Sequence, residues 1–213
     1  MKPERMKATR VWDVPTRVFH WTLVVMIIIA FLTSDDDHWA LLHVTAGYTI
    51  AGLLVFRVIW GFAGTRHALF SDFIKRPSEV MCYLRALVRG ADHSCAGHNP
   101  AGGFSILLLL LSGLGATLSG ILINEDVDWP MLEEIHEGAS NLMLLLIALH
   151  ILGVGISSLM HRQNLVASMI TGLKPQEAGA VSVPRHRKLG IMLGLGVIAF
   201  WIWSLKDKLN GLI

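Results

Sequence analysis

Five stretches of this chain, roughly residues 17–34, 41–62, 104–123, 134–160 and 189–205, are apolar almost without interruption. Each is about as long as the hydrocarbon core of a bilayer is thick, since about 20 helical residues span about 30 Å. Within that core a backbone must satisfy its own hydrogen bonds, which leaves the α-helix as the form for an isolated apolar run. Composition agrees: 53% of the residues are hydrophobic and only 16% are charged. The expectation is therefore an all-α integral membrane protein. The first run has no small-x-small cleavage site and is followed directly by "TSDDDHW", so it is read as a retained helix rather than a signal peptide. The last run ends in "WIW", which suits an interfacial aromatic belt.

The basic residues sort by segment. Lys2, Arg5, Lys7, Arg10 and Arg17 precede or open the first run. Arg66, Lys75, Arg76, Arg85 and Arg89 lie between the second and third runs, and Arg162, Lys174, Arg185, Arg187 and Lys188 between the fourth and fifth. The other two connections, "SDDDHWA" and "NEDVDWPMLE", hold no Lys or Arg. The positive-inside rule then puts the N-terminus in the cytoplasm and, after five crossings, the C-terminus outside, where Lys206 and Lys208 run against the rule. Topology signalling accounts for the basic loops, so no nucleic-acid partner is expected; lipid is the surrounding partner.

The expected organisation is a cytoplasmic N-terminal segment (1–16) and a four-helix core (17–160) with a cytoplasmic loop at 63–103. A cytoplasmic linker (161–188) and a C-terminal transmembrane helix with a short tail (189–213) follow. No internal repeat is visible. In the long loop, "PSEVMCYLRALVRG" has a helix start at Pro77-Ser78 and a stop at Gly90. Its apolar residues Val80, Tyr83, Leu84, Leu87 and Val88 suggest a helix lying on the membrane surface. Cys82 and Cys95 have the spacing neither of CxxC nor of CxxCH, which argues against covalent haem attachment and a disulfide framework.

Of ten histidines, His38, His67, His93, His98, His161 and His186 fall in loops or at span ends. Four do not: His20 near the inner start of span one, His43 near the outer start of span two, and His136 and His150 in span four. Fourteen residues at 100° each bring a helical side chain back to within about 40° of its first direction, about 21 Å along the axis. His136 and His150 thus share one stripe at two depths. Alternating span directions make His20 and His150 the inner pair and His43 and His136 the outer pair. Intramembrane ionisable residues are costly and mark function. Two neutral imidazoles are what a low-spin haem iron accepts, and no carboxylate or thiolate accompanies these four as zinc or di-iron sites would require. The expected cofactors are two non-covalent haem b groups, each clamped by one pair. Arg57, inside span two, and Arg17 are candidates for the haem propionates; Arg57 could instead snorkel to the interface. Glycines in the spans (Gly47, Gly52, Gly113, Gly115, Gly120, Gly138, Gly153, Gly155) allow either a macrocycle or a bare helix to come close.

The segments "WDVPTRVFHW", "LHVTAGY", "FRVIWGFAGTRHALFSDF", "GHNPAGG" and "NLVASMITGLK", in this order over about residues 10–175, resemble the bacterial cytochrome b561 family. The branch they are most similar to lies near the b-type cytochrome subunits of nickel-iron hydrogenases. The resemblance implies a four-helix core holding two b haems. The family's ligands map onto His20, His43, His136 and His150, matching the pairs derived from depth. It also implies residence in the bacterial inner membrane and electron transfer between quinone and a surface partner. For a chain this short that partner is expected to be a periplasmic c-type cytochrome, with the anchor subunit of a nickel-iron hydrogenase as the alternative. The family's "GHNPAGG" is read as a turn capping the start of span three. A rival of another class is a non-redox transporter with histidines along its path, which would be colourless.

Overall fold

The computed structural model describes residues 7–89, 97–176 and 181–210. Eight helices follow the five runs and their connections: α1 (Val14–Leu32), α2 (Ala40–Ala63), α3 (Phe70–Phe73), α4 (Pro77–Val88), α5 (Pro100–Asn124), α6 (Leu132–Met160), α7 (Leu165–Thr171) and α8 (Arg187–Asn210). Helices α1, α2, α5, α6 and α8 are long and apolar enough to cross a membrane. One element departs from an all-helical chain. Strand β1 (Lys7–Arg10) pairs antiparallel with β2 (Leu173–Gln176), Lys7 opposite Gln176 and Arg10 opposite Leu173. No alternating pattern announces these short strands; they pair because the segment before α1 meets the segment after α7.

Contacts divide the chain into two compact units, and α2, α5 and α6 contribute to both. The first comprises Met1–Asp13, Val58–Leu111 and Met143–Arg185. Its centre is Val11, Trp12, Trp60, Ala68, Phe73, Val80 and Tyr83, all buried. Side-chain caps start its helices. Asn99 accepts the Gly102 N–H at 2.7 Å at the head of α5, and Asn164 accepts the Ala167 N–H at 2.8 Å at the head of α7. The α7 helix ends at Gly172, whose φ of 81° closes the turn. Its carbonyl then accepts the N–H groups of Val11 and Trp12 at 2.9 and 3.2 Å. "GHNPAGG" is thus a capping turn, as expected. The α4 helix starts at Pro77, with Glu79 reaching back to the Arg76 N–H at 3.3 Å, and its buried Val80 and Tyr83 pack within the protein. That corrects the surface-lying reading for those two residues; Leu84 is exposed and the Val88 side chain lies outside the described residues. Cys82 is exposed on α4, and Cys95 lies outside the described residues.

Asp13 is completely buried in this unit. It accepts hydrogen bonds from the Trp60 indole N–H at 3.1 Å and the Thr65 hydroxyl at 2.6 Å. The carboxylate ties the segment before α1 to the end of α2 and the loop that follows.

The second unit comprises Val14–Arg57, Ser112–Leu142 and His186–Ile213. Phe19, Met26, Ala46, Ile50, Leu53, Leu54 and Ala116 form its interior. Helices α1 and α2 form an antiparallel hairpin, with Phe19 against Phe56 (ring centres 6.4 Å apart) and Ala30 against His43. A Cβ on Gly190 would strike Val14, and one on Gly194 would lie 3.9 Å from Val18, so α8 runs alongside α1 in the same direction. Against α2 it runs oppositely. The Trp201 indole donates to the Thr49 hydroxyl at 3.0 Å, and the Ser204 and Thr45 hydroxyls lie 2.9 Å apart. Of the aromatics read as an interfacial belt, Trp203 is exposed as expected, but Trp201 is bound into this seam. Hydroxyls elsewhere at membrane depth bond back to their own helices, Thr117 to the Gly113 carbonyl and Ser119 to the Gly115 carbonyl, both within 2.8 Å.

Candidate functional site

His43 stands in the first turn of α2 and His136 in the second turn of α6. Both belong to the second unit, where their ring centres lie 6.1 Å apart with planes at 71°. Each ring is fixed from behind. His43 Nδ1 lies 2.9 Å from the Ala30 carbonyl oxygen, and His136 Nδ1 lies 2.8 Å from that of Ala116. A carbonyl oxygen only accepts, so in each ring Nδ1 carries the proton and donates. In the neutral ring that leaves Nε2 as the nitrogen with the free lone pair, the tautomer a metal ligand needs.

The spacing tests whether one iron fits between them. Two metal–nitrogen bonds of about 2.0 Å end to end, with each ring centre about 1 Å beyond its nitrogen, span about 6 Å. The observed separation matches. Among the described residues no group of three or more His, Cys, Asp or Glu side chains converges, and His43 and His136 face each other as two imidazoles. Gly47 lies one turn beyond His43 along the same face, and a Cβ there would meet nothing within 4 Å.

The other sequence-predicted residues are distributed as follows. His20 stands on α1 in the second unit, and His150 on α6 in the first unit, each partly exposed. Gly153, one turn on from His150, is likewise open: a Cβ added there would meet nothing within 4 Å. Arg17 lies inside α1, which begins three residues earlier than the apolar run, and it falls one turn before His20. Arg57 on α2 is buried, 4% exposed, and the Phe19–Phe56 contact sets it at the depth of Phe19 and His20. His98 packs its ring against Trp12 (4.6 Å) and Phe73 (5.1 Å) inside the first unit, a packing role.

Several contributors carry no mark in the sequence. The Ala30 and Ala116 carbonyls are backbone, which every residue has. Tyr48 donates to Glu125 at 2.7 Å, linking α2 to the end of α5 in the second unit. The acidic residues in and beside the two connections that hold no Lys or Arg, Asp35, Asp36, Asp37, Glu125, Asp126, Asp128, Glu133 and Glu134, are exposed, as is Glu137 beside His136. Among the described residues none of them is in an ion pair.

A family model described as prokaryotic cytochrome b561 matches residues 11–172. A protein of Bradyrhizobium diazoefficiens named as a probable Ni/Fe-hydrogenase B-type cytochrome subunit is 21% identical over 207 residues, covering 76% of this chain and 84% of that protein. One of the same name from Rhizobium leguminosarum bv. viciae is 24% identical over 208 residues, covering 76% and 87%. No solved structure matches significantly.

Proposed function

This chain belongs to the prokaryotic cytochrome b561 family of multi-pass membrane b-type cytochromes, and on that premise we propose that it is a dihaem carrier. In this reading it works in the bacterial inner membrane and passes electrons between the quinone pool and a redox partner. The observation that carries the reading is the His43–His136 pair, with ring centres 6.1 Å apart and both Nδ1 protons given to backbone carbonyls. His43 and His136 are the proposed axial ligands of the outer haem b, and His20 and His150 those of the inner one. Arg17 and Arg57 are proposed to neutralise propionates at the inner level, where Arg57 is held at the depth of His20. Haem held by two imidazoles would supply a one-electron couple with oxygen chemistry at iron disfavoured. The chain's part is to hold the rings, keep Nε2 deprotonated and exclude water from the level of the pair. A dithionite-minus-oxidised spectrum with a pyridine haemochrome count tests this: two b haems per chain are expected, and a colourless protein overturns the reading in favour of a transporter.

The N-terminus is proposed to be cytoplasmic, from the fifteen Lys and Arg residues in the three inner segments against none in the two outer connections. A reporter fused after Asp36 should behave as periplasmic and one fused after Arg85 as cytoplasmic; the reverse pattern would exchange the two haem levels.

The partner is proposed to be a periplasmic c-type cytochrome with a basic face around its haem edge, docking on the exposed acidic connections. Such steering weakens with salt, because the Debye length falls from about 10 Å at 0.1 M to about 3 Å at 1 M. The rate of electron transfer should fall as salt rises, and Asp35→Asn, Asp36→Asn and Asp37→Asn together should flatten that dependence with haem spectra unchanged. The names of the two relatives favour a second reading, a membrane subunit for a nickel-iron hydrogenase. Under it the chain co-purifies with hydrogenase, and its rate with the cytochrome ignores both salt and the substitutions.

A further inference from the structure

The two carbonyls that hold the histidines are of different kinds. Ala30 lies in the last turn of α1, where carbonyls lack an intrahelical backbone partner, and there His43 Nδ1 at 2.9 Å shares the carbonyl with the Thr33 hydroxyl at 3.3 Å. Ala116 lies in the interior of α5. Its carbonyl is flanked by the residue one turn ahead, because a helical Cβ leans toward the N-terminus and covers the preceding turn. That residue is Gly120. A Cβ built there would lie 2.8 Å from His136 Cε1 and 2.9 Å from His136 Nδ1, closer than such atoms can approach. The ring of His136 therefore occupies the space that any side chain at 120 would take. Ser119 stands next to it, with its hydroxyl oxygen 3.4 Å from the same Nδ1; that hydroxyl donates to the Gly115 carbonyl at 2.7 Å and also lies 3.0 Å from the Ala116 carbonyl.

We infer that Gly120 is the positioning residue for His136: it lets the imidazole lie on α5, donate Nδ1–H to Ala116 and keep Nε2, 3.9 Å from that Cβ position, as the ring nitrogen farther from the helix. This rests on the reading of His136 as an axial ligand. It goes further by assigning control of that ligand's basicity to a residue on a helix without histidines. An imidazole that donates Nδ1–H to a carbonyl is the more electron-rich ligand and favours the ferric state. Loss of that bond raises the reduction potential of the haem concerned and leaves the other alone.

The test compares full-length wild type with Gly120→Ala, Gly196→Ala and His136→Ala by haemochrome count, equilibrium redox titration and electron paramagnetic resonance of the ferric state. Gly196, on α8, has nothing within 4 Å of its Cβ position and serves as the control. Gly120→Ala should move one component upward by at least tenfold in its reduction equilibrium, 59 mV for a one-electron couple, or remove that component, with the second unmoved. Gly196→Ala should match wild type. Both components at their wild-type potentials, or both shifted together, overturn the inference. If Gly120→Ala protein does not accumulate, the double variant Gly120→Ala/His136→Gly, which removes the colliding ring, should restore accumulation; failure to do so overturns it equally. His136→Ala with both haems intact would sink the ligand reading itself, a result separate from the others.

Discussion

Replacing His43 or His136 by alanine should cut the haem content of the purified protein to about half, with one spectral component lost and the other kept at its wild-type potential. His20→Ala or His150→Ala should remove the complementary component. The effect is this large because a low-spin haem iron keeps two strong imidazole bonds, and the described structure offers no third ligand-type side chain beside the His43–His136 pair to replace either one. The chain should still insert and fold, since neither ring is part of the apolar interior and each donates only one hydrogen bond to a carbonyl. The double variant His43→Ala/His136→Ala should look like either single variant, because both remove the same haem. Loss of the same component from His20→Ala and from His43→Ala would break the pairing by depth. An additive loss in the double variant would break the clamp itself.

Asp13→Ala should lower the thermal stability of the haem-loaded protein more than any substitution on a lipid-facing position. The carboxylate is completely buried, and its removal orphans two donors, the Trp60 indole and the Thr65 hydroxyl. Each buried donor without an acceptor costs about 1–3 kcal/mol, so the loss is on the order of 2–6 kcal/mol. Thr65→Val removes one donor and leaves Asp13 its bond to Trp60, so it should cost less. Asp13→Asn keeps an acceptor oxygen but sets an amide N–H against donors, and should fall between. The readout is the melting of the haem absorbance in detergent, with the spectrum below the transition unchanged in all three. An Asp13→Ala protein that melts with the wild type would mean that the two donors find other acceptors, and that the carboxylate does not hold the start of α1.

Much of this protein was legible without coordinates. A span announces itself because a bilayer demands about 20 apolar residues in one segment, and that demand is met locally. Four of the five expected runs lie within long apolar helices, and the first, 17–34, overruns the end of α1 by two residues. Pro77 marks a helix start and the "GHNPAGG" turn caps another, for the same reason: a cap acts on its own turn. The pair His43–His136 could be suspected from depth alone, because helical rise and alternating direction convert residue number into height.

What only the tertiary structure decided lies between segments. The ribbon joins Arg10 to Leu173, and the α8 seam joins Thr45 to Ser204. No local pattern encodes a partner so distant in the chain. The depth argument put two histidines at one level but could not say that their rings stand one iron's width apart, nor which nitrogen each presents. Those follow from the Ala30 and Ala116 carbonyls, which look the same as every other carbonyl in the chain until another helix brings a donor to them. Gly120 was one of eight glycines noted for close approach, and only the His136 ring pressed against it separates it from the rest. Composition and periodicity determine that a helix forms and how deep each residue sits. Which face meets which neighbour is settled by packing, because it depends on the shapes of two surfaces at once.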